Sequence, residues 1–171
     1  QEAGVDLGGR RIIKKKRHNG REETTTLSLI PDVRRNIEIP LIAAGGIAVG
    51  SQMKAAMILG ADGVQIGSRF AATVEASAHD NWKQKIVEAK EGDTQLTLKE
   101  LAPVRLVKNK FFYDLEEIYK QGKDKDALIE KLGKRRAKRG MFEGDLEDGE
   151  LEIWQSSALI DEILTVEHVF Q

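Results

Sequence analysis

Two short apolar runs in this chain each end in glycine. Leu41-Ile42-Ala43-Ala44 leads into Gly45-Gly46-Ile47, and Asp62-Gly63-Val64-Gln65-Ile66 leads into Gly67-Ser68-Arg69-Phe70. Glycine has no side chain to keep a ligand away from the main chain. The unpaired amide N–H groups at the start of a following helix attract an anion. A pair of such turns, spaced by one helix, is a chemistry for gripping phosphate.

The flanking elements must place those turns together. Strands are predicted over 40–44 and 62–66. Between them lies a helix capped by Ser51, with Met53, Ala56, Met57 and Leu59 on its inner side and Gly60 as the glycine that stops it. A short helix is expected from Ser68. This is a strand–helix–strand unit with a glycine-rich turn after each strand. The loops after the last two strands of a (β/α)8 barrel form the usual phosphate site in that fold. The chain therefore reads as α/β, as the C-terminal part of such a barrel.

Upstream, residues 1–4 read as the end of a strand. Residues 10–21 hold seven basic residues without a helical period and read as a loop or an irregular hairpin. One of Thr24, Thr25 and Thr26 caps a helix carrying Leu27, Ile30, Val33 and Ile37, in which Pro31 fits only within the first turn. Downstream, helices are expected over 81–90, 111–121, 124–139 and 152–169. An extended piece is expected over 103–109 and a loop over 140–149. On this reading residues 1–75 belong to the barrel, with 5–17 an inserted loop, and 76–171 form a helical segment packed on it. Two barrel strands and the tip of a third are legible where eight close a barrel. Either the chain is a fragment, or another chain supplies the missing strands, or the barrel is not closed.

The 171 residues suffice for one domain with a core. The 27 Lys and Arg nearly balance the 28 Asp and Glu, so nothing in the net charge of −1 draws the chain to nucleic acid or to a membrane. Cysteine is absent, which excludes disulfides, thiolate metal ligands and a thiol nucleophile. No apolar run is long enough to cross a bilayer and no secretory signal opens the chain, so a cytoplasmic protein is expected. The acids between Glu143 and Glu152 lack the oxygen-ligand spacing of a calcium loop, and no metal is assigned. The basic cluster from Lys134 to Arg139 is expected at a helix C-terminus. His79 and His168 read as surface or helix-end residues.

At Ala43-Ala44-Gly45-Gly46-Ile47, at 60–70, and at the split pair Glu2-Ala3-Gly4 and His18-Asn19-Gly20, the sequence resembles the nitronate monooxygenase family and the related FMN-dependent enoyl-ACP reductases. Lys85-Ile86, Asp93-Thr94, Pro103-Val104-Arg105 and Lys108-Asn109 look like the reductase branch. The resemblance covers the C-terminal half of such an enzyme. It implies an FMN-binding barrel whose phosphate is held near Gly45, Gly46, Gly67 and Ser68, with the Ser68 hydroxyl adding a bond. It also implies that Ala3, Gly4, Ala43, Ala44 and Gln155 lie beside the cofactor. His18 is the implied catalytic base, suited by a pKa close to working pH.

The function implied is oxidation of alkyl nitronates by oxygen. The alternatives are an NADH-dependent enoyl-ACP reductase and a non-catalytic barrel fragment that associates with itself. The implied partners are a small-molecule substrate and either another copy of the chain or a missing N-terminal half. The sequence departs from the family pattern at residues 5–17, which separate Gly4 from His18, and at Trp154, where the family tends to have glycine.

Overall fold

The computed structural model describes residues 24–99, 101–122 and 125–171, together with the main chain of 2–5 and 11–14. His18 lies outside the described residues.

β1 (Glu2–Val5) pairs antiparallel with β2 (Arg11–Lys14), Gly4 opposite Ile12. The second half of this hairpin lies within the segment read as an insert. α1 (Thr26–Arg34) follows, with Thr25 at its N-cap. Pro31 sits beyond the first turn, against the expectation. Its ring removes one main-chain donor from a nine-residue helix that buries only Ile30, so little packing depends on that bond.

β3 (Ile42–Ala44), α2 (Gly50–Ile58) and β4 (Gly63–Gln65) form the strand–helix–strand unit, with β3 and β4 parallel. The cap of α2 is Val49, and Ser51 lies inside the helix. The side chain of Gln52 takes over the capping work. Its Oε1 accepts from Ala48 N at 2.8 Å and Val49 N at 3.3 Å. Gly60 ends α2 with φ of +109°, as a terminating glycine should. Of the residues assigned to the inner face, Ala56 is buried and Leu59 is half-buried, whereas Met53 and Met57 are exposed. Ile30, Ala43, Ile47, Ala56 and Ala61 make the core of this unit.

α3 (Ser68–Ala71) is a single turn. α4 (Asp80–Glu88) begins at His79, whose Nδ1 accepts from Asn81 N. β5 (Thr94–Thr97), which the sequence reading missed, pairs antiparallel with β6 (Val104–Val107) inside the extended piece. α5 (Lys110–Lys120) is capped by Asn109 and buries Phe111, Phe112 and Leu115 against Leu98, Leu106 and Leu128. The expected helix over 124–139 is two helices, α6 (Lys125–Leu132) and α7 (Arg136–Met141). Gly133 and Arg135 both take left-handed φ, at +60° and +63°, and an α-helix cannot run through them.

The basic cluster therefore spans a helix break, not a helix end. Arg136 lies 4.7 Å from the centre of the Phe111 ring and donates to Leu132 O and Asp148 O. The expected terminal helix is also absent. In its place stand a 3-10 turn (Gln155–Leu159) and α8 (Val166–Val169), joined by extended chain through the buried Ile160. Here a bridge from Thr73 to Leu164 pulls the segment onto the body of the protein, and Thr165 starts a new helix.

Candidate functional site

The parallel register sets Ala43 opposite Val64 and Ala44 opposite Gln65. Both strands thus leave the sheet at the same end, on neighbouring tracks about 4.8 Å apart. Gly45–Gly46 and Gly67–Ser68 become adjacent turns. Gly45 and Gly46 have φ of +89° and +73°, a region that side chains enter only at a cost. A Cβ added to Gly45 or Gly67 would meet nothing within 4 Å, so open space lies over both turns.

The amides divide in two. Those of Ala48 and Val49 are already held by Gln52. Those of Gly46, Gly67 and Ser68 donate to no acceptor among the described residues. The donors left for an anion are therefore those of the glycine turns, joined by Gly50 N and Ser51 N at the start of α2, which also donate to nothing among the described residues. Gln52 was missed in the sequence reading. The signal was a glutamine three residues after the cap position, with a valine where serine or threonine is usual. The first turn is braced on its far side by Thr26, whose Oγ1 donates to Gly45 O at 3.4 Å.

Ala43 is buried and Ala44 is exposed at the strand end, next to the first turn. Gln155 is exposed and opens the 3-10 turn, which packs against α3. Ala3 and Gly4 lie in β1, which is hydrogen-bonded to β2 and not to β3. The chain thus brings Ala43, Ala44, Gly45, Gly46, Gly67 and Ser68 to one strand-end cluster.

Both turns lean on one core. Ala48, which follows the first turn, and Ala72, which follows α3, are buried with Trp82, Ile86, Ile153 and Ile160. Arg69, next to Ser68, is 7% exposed. Burial pushes its guanidinium below the usual arginine range, against the opposing pull of Glu162 and Asp161. Among the described residues no cluster of three or more His, Cys, Asp or Glu could hold a metal ion, and no helix is long and apolar enough to cross a membrane.

The family model for nitronate monooxygenase matches residues 3–171. The chain belongs to the nitronate monooxygenase family. A probable nitronate monooxygenase of Bacillus subtilis is 44% identical over 96 residues, which are 55% of this chain and 27% of that protein. One from Staphylococcus saprophyticus is 36% identical over 119 residues, 67% of this chain and 34% of the relative. Among solved structures, FabK from Thermotoga maritima superposes with a TM-score of 0.79 at 40% identity, over 86% of this chain and 47% of FabK. Nitroalkane oxidase from Streptomyces ansochromogenes superposes with a TM-score of 0.67 at 29% identity, over 85% of this chain and 41% of the oxidase. The chain thus spans about a third or less of these curated family members and under half of these solved ones.

Proposed function

We propose that this chain is the C-terminal, phosphate-gripping part of an FMN-dependent (β/α)8-barrel oxidoreductase that oxidises alkyl nitronates with oxygen. The observation that carries the reading is the pair of adjacent glycine turns at the C-terminal ends of parallel β3 and β4, with undonated amides and open space above them. A phosphoester is an acceptor-rich dianion, and it fits a cradle that offers only donors. FMN supplies the two-electron redox chemistry when bound.

The chain's own residues have narrower tasks. The amides of Gly46, Gly67 and Ser68 bind phosphate oxygens, and the Ser68 hydroxyl adds a fourth donor. Ala43 and Ala44 leave room beside the turn for the rest of the cofactor. Gln155 approaches from the 3-10 turn, and Ala3 and Gly4 from β1. His18 takes the α proton of a neutral nitroalkane, which yields the nitronate that is then oxidised. Residues 1–75 form the barrel part and 76–171 the segment that holds it in place. The remaining strands come from elsewhere in a longer polypeptide or from a second chain.

A flavin titration tests this. The purified chain should perturb FMN absorbance saturably and bind FMN more tightly than riboflavin, because only FMN carries the phosphate. A flavin spectrum that stays that of free FMN at every protein concentration overturns the reading.

A second reading is favoured by the 40% identity to FabK over most of the chain. Here the same cradle serves an enoyl-ACP reductase fed by NADH. Rapid mixing of the FMN-loaded protein with NADH separates the two. Flavin bleaching before any substrate is added supports the reductase. Its absence, with oxygen uptake driven by a nitronate, supports the monooxygenase.

A further inference from the structure

We infer that Arg69 is a positioning residue for the flavin phosphate and that it does this by tying the Gly67–Ser68 turn to the C-terminal segment 160–170. The inference rests on the phosphate reading above and deepens it.

A single helical turn has almost no stability of its own, because nucleation costs more than its few hydrogen bonds return. α3 is such a turn, yet its N-terminal end carries two of the amides offered to the phosphate. Its internal bonds run from Ala71 N to Gly67 O at 2.9 Å and from Ala72 N to Ser68 O at 3.1 Å. Its other end is fixed by Thr73, whose Oγ1 donates to Phe70 O at 2.8 Å, and by Arg69. One guanidinium nitrogen, Nη2, donates to Ala72 O at 3.0 Å and to Glu162 O at 2.7 Å. The same side chain thus closes the carbonyl end of the turn and reaches the main chain of a segment 93 residues away. A cation at carbonyl ends is also favoured by the helix dipole.

The rest of the junction points the same way. Thr73 bridges Leu164 in a parallel sense, and Val74 N donates to Leu164 O at 3.0 Å. Both oxygens of Glu75 accept from Val166 N at 3.0 Å. Phe70 and Phe170 meet at 5.6 Å between ring centres.

Arg69 is a costly way to hold two carbonyls. It is buried, its Nε has no acceptor, and no carboxylate of the described residues lies within 4.0 Å of its guanidinium. A buried cation with no carboxylate in contact, only the longer-range pull of Glu162 and Asp161, is normally selected against on stability alone. Its placement one residue after Ser68 gives it a task that an apolar residue could not perform.

The test compares FMN with riboflavin on the full chain, for the native protein and for Arg69→Met, Arg69→Lys and Glu75→Ala. Amide resonances of Gly46, Gly67 and Ser68 and flavin absorbance are both followed. Misplacing a binding group by a fraction of an ångström costs about tenfold or more. Arg69→Met should therefore weaken FMN by about tenfold while riboflavin binding stays the same. Arg69→Lys, which keeps the charge and one donor, should recover part of the loss. Glu75→Ala loosens the same junction without touching the core. It should give a smaller loss of the same kind, and it keeps the test alive if Arg69→Met does not fold.

A variant series in which FMN and riboflavin weaken in parallel assigns Arg69 to stability alone and overturns the inference. Unchanged FMN affinity in folded variants does the same. A native chain that shows no preference for FMN over riboflavin removes the phosphate reading itself, and this inference with it.

Discussion

At the scale of single residues, the chain separates glycines that the fold requires from those that border open space where the proposed phosphate would sit. Gly60 is of the first kind. It has φ of +109°, and a Cβ there would lie 2.8 Å from Arg34 Cγ. Arg34 cannot simply swing away, since it donates to Asp62 at 2.9 Å and to Ile37 O at 2.8 Å. Gly60→Ala should therefore cost about 1–3 kcal/mol, read as a lower urea midpoint with unchanged slope. Gly67 is of the second kind. Its φ of −97° suits any residue, and its missing Cβ faces open space. Gly67→Ala should leave stability within about 0.5 kcal/mol, yet weaken FMN about tenfold by placing a methyl where a phosphate oxygen belongs. A thermal melt and a flavin titration on the same variant check both halves. Sequence alone showed these glycines as a repeated pattern. It assigned Gly60 to the end of a helix and Gly67 to a phosphate turn, but not their φ or the space around them, which are properties of the folded backbone.

Titratable residues behave similarly. Asp145 is held below the usual carboxylate range, first by the amide of Asp148, then by the amide of Glu147 and by Arg139 at 2.6 Å. Glu150 is pushed up by burial and by neighbouring Glu152. The signs are opposite. A depressed carboxyl gives stability that is present above its unfolded pKa and is lost as pH falls through the lower, folded one. A raised carboxyl gives stability back as pH falls through its own, higher value. Stability should thus rise slightly on mild acidification and then fall below about pH 4. Asp145→Asn should flatten the second limb, which denaturant midpoints measured across pH would show.

At the scale of elements, ends decide more than middles. α5 owes its start to Asn109, whose Oδ1 accepts from Phe112 N at 3.0 Å. Its Nδ2 also donates to Leu146 O and Gly149 O, at 2.9 and 2.8 Å. An ordinary cap is worth about 1 kcal/mol. Asn109→Ala should cost about 2–3 kcal/mol, because it also strands two carbonyls of the 142–149 segment. Asn109→Asp, which keeps only the cap, should fall between the two, and chemical denaturation ranks all three proteins. Most elements up to residue 121 were legible from periodicity and capping residues. Those after it were misjudged at their breaks. Gly133 and Arg135 stop a pattern that is apolar at helical spacing on both sides, and no local rule places Arg135 in the left-handed region. The stretch after Glu152 also reads as helical by spacing. It is drawn into extended chain by partners some 90 residues earlier, which a local window does not contain.

At the scale of the whole molecule, the strand–helix–strand unit is partly covered by the described residues. Its core meets the Trp82–Ile153 cluster through Ala48 and Ala72. Ile42, Met53, Met57 and Ile58 of the unit, and Leu27 of α1, are open to solvent, with Ile58 77% exposed. β3 and β4 form a sheet of two strands among the described residues. Apolar surface beside an open sheet edge invites pairing. The isolated chain is therefore expected to associate at micromolar concentration. Met57→Glu combined with Ile58→Lys should shift it towards monomer in light scattering, with little change in circular dichroism. This surface was hidden in the sequence, where Met53 and Met57 look like core positions on helical spacing. The family relationship was legible, because it is carried by the two glycine turns themselves.

Chain order gives the junction between Glu75 and Val166 a consequence for biosynthesis. The two sites lie 91 residues apart in the chain. On a growing chain the turn at Ser68 emerges well before the residues that brace it. The brace of that turn therefore forms only after the intervening chain has been made, which sets the order in which this junction can assemble.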